Sequence, residues 1–215
     1  MVDVQSFPST QIRFLRTNII RWEKQHFANF PWRITSNKWN ALVAEIMLQR
    51  TRAEQVLPVY TDFVSKYPSP GSYLNDIQAA AFSSLGLKWR EQRLKDLAIS
   101  IVKDGIPDTK EGLLKLPGIG DYIASAYMSF HGNKREPIID SNVIRLYGRF
   151  FGFQTHAETR RQKWFNKLVE LVIPTRNFRI YNYGVIDFTK AICRPKPLCA
   201  VCLLRRRCHY YRLSH

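Results

Sequence analysis

Two carboxylates are the residues of this sequence best suited to acid–base chemistry. Asp140 stands just before a predicted helix, and Glu45 lies within another, among Val43, Ile46 and Leu48. If Glu45 faces inward, burial favours its protonated form, so that it can donate a proton. Two carboxyl groups in such separate roles are typical of enzymes that cleave glycosidic bonds. The alternatives are an N-cap for Asp140 and an exposed helix position for Glu45.

The four cysteines form a second set of reactive residues, all within the last twenty-three positions of the chain: Cys193, Cys199, Cys202 and Cys208. A secreted disulfide scaffold would distribute its cysteines and would need an export signal, and the N-terminus lacks an apolar signal segment. Thiolates at this density favour an iron–sulfur cluster or zinc. Zinc ribbons usually pair two Cys-x2-Cys knuckles, and this chain has one. Zinc and free thiols are kept as alternatives to the cluster.

The stretch LPGIGDY at 116–122 must position a turn between two helices. Pro117 ends a helix that arrives through 110–115, and Gly118 and Gly120 permit positive φ and a close backbone approach. A second helix is predicted over 123–130. The N–H groups at its start form a surface that binds a phosphate without reading a base. The alternative is an ordinary connection between helices.

The charge of the chain indicates a polyanionic partner. Lys and Arg number 33 against 17 Asp and Glu, which gives a net charge of +16. The basic residues are spread along the whole chain, which favours a groove that binds nucleic acid over a tail that binds a membrane surface. No apolar run approaches the length of a bilayer span. We therefore expect an intracellular, nucleoid-associated protein without membrane contact; the alternative is a solvated basic surface.

Helical periodicity predicts an all-α fold, because no stretch alternates convincingly at period two. Helices are predicted at 11–26, 40–49, 51–63, 74–83, 91–103, 123–130, 141–151, 159–172 and about 178–191. Short helices joined by short turns are typical of a compact multi-helix array. Three of the five histidines, at 131, 156 and 209, have no partner pattern, and we interpret them as surface or packing residues.

Taken together, these motifs resemble the helix-hairpin-helix DNA glycosylase superfamily. The order helix, LPGIG hairpin, helix, Gly/Pro loop and aspartate is that family's pattern. FPWR at 30–33 matches its opening motif, and IDSNVIR at 139–145 matches the segment with the catalytic aspartate. AEIMLQRT at 44–51 is similar to adenine glycosylases of the MutY type and to thymine·guanine mismatch glycosylases. The cysteines resemble that branch's [4Fe–4S] loop, whose first gap has six residues where this chain has five.

The resemblance implies two α-helical lobes with a DNA-binding cleft between them. The helix-hairpin-helix lobe would be 34–133, and the second lobe 1–33 plus 134–215, with the cluster loop at 193–208. Asp140 would stabilise charge on the deoxyribose and orient water, and Glu45 would protonate the leaving base. DNA contacts are implied for Gln49, Arg50, Thr51, Pro117, Gly118, Ile119, Gly120 and Asp121.

Tyr122 bears on the type of reaction. In glycosylases of the family that also nick the strand, this position is a lysine whose amine forms a Schiff base with the sugar. A phenol forms no imine, so Tyr122 predicts a monofunctional enzyme in which Asp140 and Tyr122 face each other across the cleft. The alternative is a tyrosine that packs in the lobe interface.

We expect the helix that carries Glu45 to end at Gln49 and Arg50. The resemblance implies that the turn at these two residues approaches the gap left by the flipped base. Leu85-Gly86-Leu87 is a candidate for an apolar wedge in the same gap. Gln49 can hydrogen-bond a base edge. The alternative is an exposed helix end.

The leading hypothesis is a monomeric enzyme that hydrolytically excises a mismatched or damaged base from double-stranded DNA. Thymine or uracil opposite guanine is favoured, because MutY-type enzymes usually carry a further C-terminal domain and this sequence ends seven residues after Cys208. The alternatives are a MutY-type adenine glycosylase without that domain, acting on A·G or A·8-oxoguanine, and a non-catalytic DNA-binding protein. The expected cofactor is a structural [4Fe–4S] cluster, with zinc as the alternative.

Overall fold

The computed structural model describes residue 4, residues 7–76, residue 85 and residues 88–214. All regular secondary structure within these residues is helical, which confirms the predicted all-α class. The chain forms two compact units: Asn29–Lys134, called here the hairpin unit, and Met1–Ala28 with Arg135–His215, called here the aspartate unit. Among the helices described, none is both long and apolar enough to cross a bilayer.

The hairpin unit contains helices α2 to α8: α2 Pro31–Ile34, α3 Lys38–Met47, α4 Ala53–Lys66, α5 Pro70–Leu74, α6 Lys88–Asp104, α7 Lys110–Leu113 and α8 Asp121–Phe130. Helix α3 begins at Asn37, whose side chain accepts a hydrogen bond from the N–H of Asn40. Its residues from Ala41 to Met47 are all buried, and α8 packs against it. A helix that is apolar on every side lies inside a core, so Glu45 is enclosed with its neighbours.

The aspartate unit is built on the pairing of α1 with α11. It contains α1 Ser9–His26, α9 Ser141–Phe151, α10 Lys163–Val172, α11 Phe178–Ala191, α12 His209–Ser214, and 3₁₀ turns at Thr159–Arg161, Cys199–Val201 and Arg205–Arg207. Helix α11 packs along both α1 and α9. The core of the aspartate unit contains Leu15, Phe150, Phe165 and Phe188, which are fully buried. This core holds the start of α9, where Asp140 lies.

Gly184 lets α1 and α11 approach closely, and we expect Gly184→Ala to destabilise the aspartate unit. A Cβ atom at this position would lie 2.8 Å from Cγ2 of Ile19 and 3.0 Å from Cβ of Glu23. Such overpacking lowers the free energy of unfolding by about 2 kcal/mol. Denaturant unfolding measures the change. Gly71→Ala is the matched control, because its nearest new contact would be 3.9 Å away; equal losses in both variants would contradict the prediction.

Three helix predictions differ from the structure or fall outside the described residues. The prediction that α3 extends through Gln49 is wrong: α3 ends at Met47, and Arg50 has a left-handed φ of 56° that stops helical propagation. The helix predicted over 159–172 is divided into a 3₁₀ turn and α10. Most of the helix predicted over 74–83, and two of the three residues of the Leu85-Gly86-Leu87 wedge, lie outside the described residues.

Candidate active site and nucleic-acid contacts

The carboxylate of Asp140 is the N-cap of α9 and is held by three donors. Its Oδ1 accepts hydrogen bonds from the backbone N–H groups of Asn142, at 2.9 Å, and Val143, at 2.8 Å. Its Oδ2 accepts one from Nδ2 of Asn142, at 2.7 Å. The N-cap is therefore the means by which the half-buried carboxylate is oriented. Sequence reasoning missed the role of Asn142, although the Asp-x-Asn spacing at a helix start could have indicated it.

Glu45 lies in the interior of the hairpin unit with a relative exposure of 5%, so that, of the two positions left open by the sequence, the inward one is observed. Its Oε1 is 3.9 Å from Nε2 of His131, the C-cap residue that follows α8. Both side chains are 6% exposed. His131 is thus a buried neighbour of a candidate acid. No pattern in the sequence links two residues so far apart in the chain.

The LPGIG stretch forms the expected turn between α7 and α8. Gly118 has a φ of 77°, a conformation that strains residues with a Cβ atom. Ile119 is buried and anchors the turn, while Gly118 and Gly120 are exposed. Gly120 is the N-cap of α8, and within the described residues no side chain caps it by a hydrogen bond. The first N–H groups of α8 are therefore available to a phosphate.

Charge close to this turn comes from Arg93 and is opposed by Asp121. A Cβ atom at Gly118 would lie 3.4 Å from Cβ of Arg93, so that the exposed arginine lies alongside the turn. Asp121 in the first turn of α8 forms an ion pair with Nζ of Lys110 at 2.9 Å. This pairing offsets the carboxylate that would otherwise repel a phosphate. Arg93 was not identified from the sequence, because its proximity to Gly118 depends on the packing of α6.

The turn after α3 and the hairpin border the same small hollow, which is lined by Ile46, Gln49, Arg90, Arg93, Leu94, Pro117 and Gly118. Arg90 is 2% exposed and donates to the carbonyl oxygens of Ile46, at 3.1 Å, and Gln49, at 2.7 Å. These bonds add to the backbone bonds where α3 ends, since the N–H of Gln49 also donates to the carbonyl oxygen of Ile46, at 3.3 Å. The hydroxyl of Thr51 donates to the same Gln49 carbonyl at 3.2 Å. The structure thus brings together the predicted contact Gln49 and the predicted contacts Pro117 and Gly118.

Tyr122 lies in the first turn of α8 and is half-buried. Glu45 is beside His131, and His131 is nine residues after Tyr122 in the chain. At 1.5 Å per residue, the two ends of α8 are about 14 Å apart. Tyr122 and Glu45, which belongs to α3, therefore lie near opposite ends of α8. The expected placement of Asp140 and Tyr122 across a cleft stays a prediction.

The four cysteines line one small apolar cavity, together with Leu146, Phe150, Phe188 and other residues of the aspartate unit. All four thiols are free of disulfides. Burial raises the pKa of the Cys193 and Cys208 thiols, and it raises the pKa of Cys202 to about 11. A raised pKa means that the thiolate form is disfavoured. Bound iron or zinc would offset the free-energy cost of forming the thiolates, because metals bind that form. In the part of the chain described, no group of three or more His, Cys, Asp or Glu is arranged as a single-ion site.

Helix α9 connects Asp140 to the cysteine segment. Arg145 donates to the carbonyl oxygens of Cys193, at 3.0 Å, and Thr189, at 3.2 Å. Arg149 donates to the carbonyl oxygens of Arg194, at 2.7 Å, and Pro195, at 2.8 Å. Hydrogen bonds from α9 therefore hold Cys193 and the first two residues of the gap that follows it. A change in the cysteine segment would reach the helix that orients the Asp140 carboxylate.

An open groove between α1 and residues 200–207 collects positive charge. No carboxylate is among its described lining residues. Five arginines line it: Arg13, Arg21, Arg205, Arg206 and Arg207. The guanidinium of Arg207 lies 5.3 Å from the centre of the Phe14 ring. Like charges repel one another in such a group, so a polyanion binds there favourably. We call this surface the arginine groove.

Comparison with known proteins gives a consistent set of relatives. Residues 43–171 match the sequence model of the family described as HhH-GPD superfamily base excision DNA repair protein. The chain is 32% identical to the thymine/uracil-DNA glycosylase of Methanothermobacter thermautotrophicus, over 92% of this chain and 93% of the relative. It is 31% identical to an adenine DNA glycosylase of Buchnera aphidicola subsp. Schizaphis graminum, over 86% of this chain and 55% of the relative. The solved structure of a thermostable thymine-DNA glycosylase superposes with a TM-score of 0.88 at 29% identity, covering 95% of this chain and 98% of that one.

Proposed function

Because the chain belongs to the HhH-GPD superfamily of base excision DNA repair proteins and is a DNA glycosylase, we propose that it releases thymine or uracil opposite guanine from double-stranded DNA. The product is an abasic site, and the enzyme works inside the cell as a monomer. A relative named thymine/uracil-DNA glycosylase, with similarity over nearly the whole of both chains, supports this substrate class. The observation that carries the chemistry is the Asp140 carboxylate, held by three donors at the start of α9.

Asp140 acts on the sugar. As the bond to the base lengthens, positive charge develops on the deoxyribose, and a carboxylate fixed beforehand stabilises it without reorganisation. The same carboxylate orients the water that attacks the sugar and accepts its proton. Asn142 contributes by holding Oδ2 at 2.7 Å.

Glu45 acts on the departing base. A buried carboxyl group that carries a proton can transfer it to the leaving base, which then departs as a neutral molecule. The interior position of Glu45 among apolar residues of α3 supports this role. The Gln49 turn and the hairpin, with contacts at 49–51 and 117–121, hold the DNA backbone and the unpaired partner base.

Tyr122 limits the reaction to hydrolysis, and trapping with borohydride tests this. A phenol does not form the imine that precedes strand nicking. We expect the wild-type protein with a U·G duplex to give no borohydride-trapped complex, and strand breaks to appear only after hot alkali. Tyr122→Lys is expected to introduce trapping. Trapping by the wild-type protein would contradict the monofunctional assignment.

A [4Fe–4S] cluster held by Cys193, Cys199, Cys202 and Cys208 is the cofactor we propose. Their arrangement around one apolar cavity supports a cluster, because four thiolates can enclose a group larger than a single ion. When bound, the cluster would supply binding energy that holds the cysteine segment together rather than redox chemistry. Arg149, which donates to Sγ of Cys193 at 3.6 Å, would stabilise a negatively charged sulfur.

The arginine groove contributes to the affinity for DNA, and its contribution is expected to depend on salt. We expect replacement of the arginines at 205–207 by Gln to reduce the slope of log affinity against log salt by about 2–3, because each phosphate contact contributes about 0.9. Mismatched and undamaged duplexes should lose affinity equally. The matched control replaces three exposed basic residues outside the groove: Arg160, Lys163 and Arg176. Equal slopes for the two triple variants would contradict the prediction.

A panel of duplexes tests the substrate assignment. Duplexes with U·G, T·G, A·G and A·8-oxoguanine are incubated with the protein and then treated with hot alkali. We expect cleavage of the uracil and thymine strands. The second candidate, an adenine glycosylase, is favoured by the 31% identity to an adenine DNA glycosylase, and cleavage of the adenine strands alone would support it and contradict our proposal.

A further inference from the structure

Two buried ionisable side chains lie next to each other in the hairpin unit. Oε1 of Glu45 is 3.9 Å from Nε2 of His131, which exceeds the length of a hydrogen bond but is within reach of a small rotation of either side chain. Within the described residues, Nε2 of His131 has no hydrogen-bond partner. A buried polar atom without a partner is costly in free energy and is rare in folded proteins. The Glu45 carboxyl oxygen Oε1 could become the hydrogen-bond partner of this nitrogen.

We propose that His131 is a positioning residue that acts through Glu45: the pair shares one proton, held between Oε1 and Nε2, and Glu45 delivers that proton to the leaving base. The inference rests on the proposed function, because it requires Glu45 to be the acid. It adds the group that keeps the acid oriented inside an apolar core.

The proton inventory of this step is simple. Before the reaction the Glu45–His131 pair carries one proton more than it would as a carboxylate and a neutral imidazole. As the N-glycosidic bond breaks, its electron pair leaves with the base, and the proton of the pair passes through Glu45 to that base. The pair remains as a carboxylate and a neutral imidazole until a proton from water replaces the one transferred. No oxidant, reductant or other reactant is required.

The position of His131 supports this role over simple packing. Its backbone N–H donates to the carbonyl oxygen of Tyr127, and its ring is 5.7 Å from the Tyr127 ring, so the imidazole is fixed at the end of α8. An apolar side chain would fill the same space without placing an unpaired nitrogen next to a carboxylate. The burial of both groups strengthens their interaction, because the interior screens charge less than water does.

The leaving base provides a test that separates a proton role from a structural one. A base that departs readily as an anion needs little protonation, so 5-fluorouracil opposite guanine should depend less on the pair than thymine opposite guanine does. We expect His131→Gln, which preserves volume and polarity but carries no titratable proton, to slow single-turnover release of thymine about 30-fold. Release of 5-fluorouracil should slow by less than about 3-fold. His156→Gln is the matched control, because His156 is exposed.

A double-mutant cycle gives the second readout. In a Glu45→Gln background we expect His131→Gln to slow thymine release by less than about 2-fold, because the two residues act as one unit. Equal losses on the two bases, independent losses in the cycle, or a full rate for His131→Gln would overturn the inference. The proposed function fails separately, if the wild-type protein releases no base from any duplex or if Asp140→Asn retains full activity.

Discussion

Asp140→Asn is expected to slow base release by about 1,000-fold while the fold is retained. The substitution removes the negative charge that, in the proposed mechanism, stabilises the sugar and accepts the proton of water, and removal of such a group typically costs about two to four orders of magnitude. Asn is as good an N-cap as Asp, so the N–H groups of Asn142 and Val143 remain paired. Single-turnover assays on a U·G duplex measure the loss.

Two controls accompany this variant. Glu170→Gln removes a negative charge from an exposed position of the same unit and should leave the rate unchanged. Asn142→Ala keeps the Asp140 carboxylate but removes one of its three donors, so an intermediate loss of about 10-fold is expected. If Asp140→Asn folds and releases every base at the wild-type rate, Asp140 serves only as a helix cap and the hydrolytic mechanism is wrong.

Cys202→Ala is expected to have the largest effect on stability. Structural metal sites contribute about 10 kcal/mol or more to folding, and we expect loss of one of the four proposed ligands to reduce the free energy of unfolding by at least about 3 kcal/mol. For a chain of this size that corresponds to a fall in Tm of roughly 6–12 °C. Activity should also fall, because Arg145 on α9 is bonded to the Cys193 carbonyl.

Iron and sulfide analysis with thermal unfolding measures this effect. The wild-type protein should be brown and contain iron and sulfide, and the variant should contain neither. Val201→Ala is the control, because Val201 is adjacent and 68% exposed. A colourless wild-type protein with stoichiometric zinc would contradict the cluster, and a Cys202→Ala variant with unchanged metal content and Tm would contradict the assignment of Cys202 as a ligand.

The N-cap and the catalytic carboxylate were alternative interpretations of Asp140, and the geometry shows why they are compatible. The bonds that cap α9 are the bonds that fix the direction of the carboxylate. The end of α3 was predicted less well. Helical periodicity continued through Gln49, but the buried guanidinium of Arg90 donates hydrogen bonds to the carbonyl oxygens of Ile46 and Gln49, and the chain turns at Arg50.

Local interactions explain what the sequence by itself determined: the all-α class, the turn at Pro117 and Gly118, the start of α9 at Asp140 and the concentration of thiols near the C-terminus. The first three depend on residues close together in the chain, through periodicity, φ preference or capping, and the fourth is a property of the sequence itself. Only the tertiary structure decided that His131 lies beside Glu45, that Arg90 supports the Gln49 turn and that α1 completes the arginine groove. Those contacts join residues far apart in the chain, and the packing of whole helices, rather than any local preference, determines which of them meet.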